Sequence, residues 1–139
     1  LKTDGSIVGL DGVTQPVFTI VPKHDLYVVI RHRNHLPVMS SAVLPKSGGV
    51  YSWDFTIASE NAYGTNAQKM LTTGIYGMYA GDASANDQVD MNDLQSNWNH
   101  EAGQNGYKQS DFNLNTEVNN PDKNDYWKPN EGKAAQLPD

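Results

Sequence analysis

The chain has 139 residues, no cysteine, and 10 Lys+Arg against 16 Asp+Glu, a formal net charge of −6. No run approaches the ~20 apolar residues that cross a bilayer, so no membrane insertion is expected. The lack of cysteine excludes disulfides, thiolate zinc sites and cysteine nucleophiles. The acidic balance argues against a nucleic-acid phosphate binder.

The mean charge hides a split. Residues 1–79 carry a net +1, whereas residues 80–139 carry −7 and 11 of the 14 Asn. A block so rich in Asp and Asn is either a polar tail or a set of loops that hold a hard cation through oxygen.

The N-terminal half, residues 1–79, reads as strands. Ser6 to Leu10 forms a short run, ended by Asp11-Gly12. Val17-Phe18-Thr19-Ile20-Val21 is β-branched and aromatic and stops at Pro22. Leu26 to Ile30 is the third run, Val50 to Phe55 the fourth, and Ile75 to Tyr79 the fifth. Turn residues separate them, including Pro45 to Gly49. Ala62 to Leu71 reads as a short helical stretch weakened by Gly64. Short strands with regular turns predict a mainly β, β-sandwich-like module. About five strands is thin for a closed sandwich, so an upstream strand or a neighbouring domain is expected to complete it.

Residues 80–139 contain a repeat. Two twelve-residue segments start at Asp82 and Asp111, and one constant offset relates every matched pair between them. Oxygen-bearing side chains occupy positions 1, 3, 5, 9 and 12 of both: Asp82, Ser84, Asn86, Asp90 and Asp93, then Asp111, Asn113, Asn115, Asn119 and Asp122. Position 7 is Gln88 and Glu117, which would offer backbone carbonyls. Position 8 is Val89 and Val118, expected to pair back to back. A tryptophan, Trp98 or Trp127, follows five residues after each position 12. Alternate oxygens are what a loop needs to wrap a calcium ion at about 2.3–2.6 Å. Met91, Leu94 and Trp98 then share one helical face, and Gly103 ends that helix. A second helix starts near Pro121 and stops before Pro129.

On these residues, the segment from about Gly81 to Asn130 resembles a dockerin, the duplicated calcium-binding module of bacterial extracellular enzymes. Aspartate at position 12 fits that family. Arg31-His32-Arg33-Asn34-His35-Leu36 and Ala62-Tyr63-Gly64-Thr65-Asn66-Ala67 look like a module preceding such repeats in large secreted proteins of Bacteroidetes-type bacteria. The resemblance implies two loop–helix calcium motifs, up to two Ca²⁺ ions, and an extracellular or cell-surface location. It implies partners among the upstream domains of a parent chain, and a cohesin-like protein or a glycan. Two departures stand out. Position 6, where the turn favours Gly, carries Asp87 and Thr116. Positions 10 and 11 are Met91-Asn92 and Asn120-Pro121, unlike the Ser-Thr-type pairs of cohesin binders.

Other chemistry has less support. His32-x-x-His35 has metal-like spacing but lacks a third ligand. Asp54 and Glu60 are not spaced for glycosidase work, and no nucleophile elbow or phosphate loop occurs. The expectation is a non-catalytic, calcium-stabilised module that caps or docks a larger protein, its halves packed without a linker. The alternative is a carbohydrate-binding or adhesion module, which would expose Tyr27, Tyr51 and Trp53 in one strip.

Overall fold

The computed structural model describes residues 6–19 and 21–138. Among the described residues, the N-terminal half contains three antiparallel ribbons of two strands each, joined by irregular segments. β1 (Val29–Ile30) pairs with β2 (Val38–Met39). β3 (Lys46–Ser47) pairs with β4 (Val50–Tyr51) across Gly48-Gly49, both at positive φ, as a tight primed turn needs. β5 (Lys69–Thr72) pairs with β6 (Ile75–Gly77) and carries an irregularity between Met70 and Thr72.

This is a mixed small fold, not the expected sandwich. Strands of two to four residues cannot bury a face and so cannot stack as sheets. The run around Val17 forms no strand where it is described; Ile20 lies outside the described residues. Its Val17, Phe18 and Val21 are exposed, as is Leu10. Ser6 to Leu10 is likewise not a strand. The expected helical stretch over 62–71 is absent. Ala62 bridges Ser40 instead, and Lys69 onward is extended. Gly64 and Asn66 adopt left-handed φ there, which breaks a helix.

Two helices follow, over residues 91–101 and 120–130. Each is π-wound over six residues, Asp93–Trp98 in the first and Asp122–Trp127 in the second. The first continues as α-helix over Asn99–Glu101 and ends before Gly103 at φ 82°. The second tightens into a 3-10 turn, Lys128–Asn130. Pro129 sits early in that turn, where its missing N–H costs little. Met91 is exposed, so only Leu94 and Trp98 of the expected apolar face pack inward.

The main core joins both halves. Leu36, Ala80, Ala83, Val89, Phe112 and Trp127 are buried together, flanked by Tyr79, Leu94 and Trp98. Gly81 is required here. A Cβ would stand 2.8 Å from Val89 Cγ1, and its φ of 129° is closed to most side chains. A smaller cluster of Val38, Ala62 and Ala67 lies under the ribbons.

The halves are clipped by Asn34, which is fully buried. Its backbone carbonyl accepts the Gly81 and Asp82 amides at 3.0 and 3.2 Å. Its side-chain NH₂ donates to the carbonyls of Gln109 and Asp111 at 2.8 and 2.7 Å. One residue therefore holds the start of both repeat segments. The Asn34 amide orientation is fixed by those two donations, so its Oδ1 accepts from His35 Nδ1 at 2.8 Å. His35 Nδ1 also lies 3.0 Å from His32 Nδ1, which must then be an acceptor. Burial, then the charges of His32 and Arg33, push the His35 pKa down to about 3.

Two outcomes are expected. Asn34→Ala leaves the buried Asp111 carbonyl and the part-buried Gln109 carbonyl without their donor and should cost about 1–3 kcal/mol in urea unfolding; a loss under about 0.5 kcal/mol would refute the clip. His35 stays neutral when folded, while the unfolded chain takes up a proton below 6.5. Its contribution to stability is therefore present above pH 6.5 and falls progressively toward about 3. Acid melts of wild type against His35→Gln should converge as pH falls through that window.

Candidate metal centre

The two twelve-residue segments fold as copies of one loop. In the first, the Asp82 carboxylate accepts the amides of Asn86 and Asp87 at 3.0 and 3.1 Å. Asn86 Oδ1 accepts the Gln88 amide at 3.0 Å. Asp93 accepts the amides of Ser84 and Asp90 at 2.9 and 2.8 Å. Each bond recurs at the equivalent positions of the second loop. Asp111 takes Asn115 and Thr116, Asn115 takes Glu117, and Asp122 takes Asn113 and Asn119. Position 4 is left-handed in both (Ala85 φ 55°, Leu114 φ 62°), and so is position 6 (Asp87 65°, Thr116 72°). The turn that favours glycine at position 6 is thus made by Asp and Thr.

The four aspartates at positions 1 and 12 are buried. Asp93 and Asp122 stand in the first turn of their helices, where a carboxylate suits the N-terminal dipole. The remaining predicted residues hold the rim. Asp90 accepts from the Asn92 amide and Asn86 Nδ2. Asn113 Oδ1 accepts the Asn115 amide, and Asn119 Nδ2 donates to Glu117. Gln88 is exposed.

Two predicted ligand oxygens stand out. Asn119 Oδ1 and Ser84 Oγ are buried without a well-formed hydrogen bond. Ser84 Oγ lies near the Asp93 carboxylate and helps lower its pKa, whereas Asn119 Oδ1 has no hydrogen-bond partner among the described residues. A buried unpaired acceptor is costly, and a cation is one way to satisfy it. The donor set in each loop is mixed oxygen, carboxylate plus amide or hydroxyl. Among the described residues, no group of three or more His, Asp or Glu side chains is placed to hold an ion.

The repeats cross over. Val89 and Val118 do not form the expected back-to-back ladder. Val118 exchanges bonds with Gly103 and Gln104, and Val89 with Gly132 and Lys133. Isolated bridges Asn105–Glu117 and Gln88–Ala134 complete the pattern. The segment trailing each helix therefore covers the loop of the other repeat. The tryptophans cross too. Trp98 Nε1 donates to Asn119 O at 3.3 Å, and Trp127 Nε1 to Asp90 O at 3.1 Å. Position 9 of each loop is thus held by the indole of the opposite helix. Gly103 and Gly132, separated by the same offset as Asp82 and Asp111, were the sequence signal for this exchange.

Other candidates separate. Tyr27 is exposed, whereas Tyr51 and Trp53 are half-buried. Trp53 donates its indole N–H to Asn61 O at 3.0 Å. His32 and His35 pack edge to face as a structural pair.

The first loop resists its own charge. Burial, then Asp93 and Asp87, raise the Asp82 pKa against the lowering effect of the Asn86 and Asp87 amides. Burial, then Asp90, raise that of Asp93. A raised folded pKa stabilises the fold at low pH, and that contribution is lost as pH climbs from 3.8 through the folded value. In metal-free protein, the carboxyl ¹³C shifts of Asp82 and Asp93 should titrate above 3.8, and with saturating calcium below it. Titration unmoved by calcium would show that no cation sits between them. No family model matches the chain, and no curated protein or solved structure matches it either.

Proposed function

We propose that the chain is a non-catalytic calcium-binding module of a larger secreted or cell-surface bacterial protein, dockerin-like in its C-terminal half. The observation that carries this reading is the duplicated loop: five amide-to-side-chain bonds in the first copy, each with its equivalent in the second. The unpaired Asn119 Oδ1 supports it independently.

Asp82, Ser84, Asn86, Asp90 and Asp93 would hold one ion, with the Gln88 carbonyl. Asp111, Asn113, Asn115, Asn119 and Asp122 would hold the other, with the Glu117 carbonyl. Calcium supplies positive charge that buried carboxylates otherwise lack. The chain's own residues do the rest. Positions 1 and 12 close the loop on its backbone amides, and the crossed tryptophans fix position 9. The work is structural: ion binding stiffens both loops at once, and Asn34 passes that order to the N-terminal half. The partners would be upstream domains of the parent chain, with a cohesin-like protein as a docking candidate.

Calorimetric titration of metal-stripped protein with calcium tests this. Two binding events are expected. At calcium 100-fold above each dissociation constant, each site adds about 2.7 kcal/mol, or about 10 °C in melting temperature. Asp93→Ala and Asp122→Ala should each remove one event. No heat and no chelator-dependent melting shift would refute the proposal.

A further inference from the structure

The two loops share a backbone but not an electrostatic setting. Arg33 comes from the N-terminal half and reaches the second loop. Its Nη2 lies 3.3 Å from Asp111 Oδ2, in a pair whose side chains are only 16% and 1% exposed. The guanidinium is not free to swing away. Its Nε donates to Lys108 O at 3.1 Å, and its carbon sits 4.0 Å over the Tyr107 ring. Asp111 is position 1, a ligand position.

The first loop has no equivalent. Among the described residues, no cationic group pairs with Asp82. Its nearest counterpart, Arg31, pairs with Asp87 at 3.1 Å, with side chains 61% and 42% exposed. Asp87 is position 6, whose side chain is not a ligand, and an exposed pair is screened by solvent. The side-chain ligand positions of the first loop carry three carboxylates, Asp82, Asp90 and Asp93. Those of the second carry two, Asp111 and Asp122, with Asn119 at position 9. Arg33 cancels one of these. Calcium affinity in such loops follows ligand charge.

We propose that Arg33 is an affinity-setting residue: its guanidinium, fixed on Asp111, makes the second loop the weaker calcium site, so that the first loop fills before the second. This rests on the calcium reading above. Among the described residues, Asp111 Oδ1 accepts the Asn115 amide alone and would be the oxygen offered to an ion, while Oδ2 keeps Arg33 and the Thr116 amide. The arginine therefore stays in place and acts through charge, not by blocking the loop. Removing it should free the second site's full affinity.

Calcium titration of wild type, Asp93→Ala, Arg33→Gln and Arg33→Lys tests the order, each first checked for folding by melting in chelator. Wild type should show two events of unequal affinity, and Asp93→Ala should lose the tighter one. Arg33→Gln should tighten the weaker event on the order of tenfold and leave the tighter one unchanged. Arg33→Lys, which keeps the charge without the planar fork, should stay within about threefold of wild type. Should the glutamine variant not fold in chelator, Arg33→Met preserves the stem against Tyr107 and takes its place. A weaker event left unchanged or loosened by the neutral variant overturns the proposal, as does loss of the tighter event in Asp122→Ala. Absence of heat in every variant overturns the calcium reading itself, a distinct result.

Discussion

Four buried aspartates govern the C-terminal half: Asp82, Asp93, Asp111 and Asp122. A twelve-residue loop wound this tightly turns its backbone amides inward, away from water. Each amide needs an acceptor, because an orphaned buried donor is expensive. Positions 1 and 12 meet that need with both carboxylate oxygens. The solution creates a second demand, since carboxylates taken out of water ask for positive charge. The raised pKa values of Asp82 and Asp93 express it in the first loop, and Arg33 answers part of it in the second.

The crossing of the repeats follows from where position 12 falls. Each helix begins around its position-12 aspartate and carries its tryptophan to the other repeat's position 9. The segment after each helix then lies against the opposite loop. Neither repeat is complete alone, so the two loops should order together. The N-terminal half depends on this unit more than the reverse. Among the described residues, its own buried cluster is Val38, Ala62 and Ala67, with Ile30, Phe55 and Met78 partly buried against it, while Leu36 belongs to the core of the repeats. Asn34, and Lys69 reaching Asn130 Oδ1 at 3.2 Å, fasten it there.

What was legible in the sequence was the part set by local spacing. The loop positions, the glycines after each helix and the paired tryptophans all recur at one offset, and short-range geometry carries them. The strands were less legible. Val17 to Val21 has β-branched and aromatic composition but no partner within the described residues to pair with. Val38–Met39 and Lys69–Thr72 are strands because tertiary partners exist, despite flanking residues that read as turn or helix. Val89 and Val118 share position 8, which suggests mutual pairing. Yet the trailing segments offer each of them a full set of backbone bonds. Arg33 and Asn34 lie in the Arg31–Leu36 stretch that looked like a known module, but nothing in it pointed to the roles they play. Their partners lie in the opposite half of the chain, around Lys108 to Asp111, and nothing periodic marks either one.

The conformation of the loops bears on why an ion would matter to the fold. Ala85, Asp87, Leu114 and Thr116 all hold left-handed φ between 55° and 72°. Each such residue costs roughly 1–2 kcal/mol, with β-branched Thr116 at the upper end. Glycine at position 6 would remove part of that cost, so the choice of Asp and Thr leaves the loops dependent on what closes them. The position 1 carboxylate is that closure, because it accepts the amide of the left-handed position 6 residue directly, at 3.1 Å in both loops. Protonating or removing it would release the turn it holds. A cation on the same carboxylate would do the opposite. It would keep the group charged at any ordinary pH. The group that holds the strained turn is therefore the same one that the calcium proposal makes a ligand.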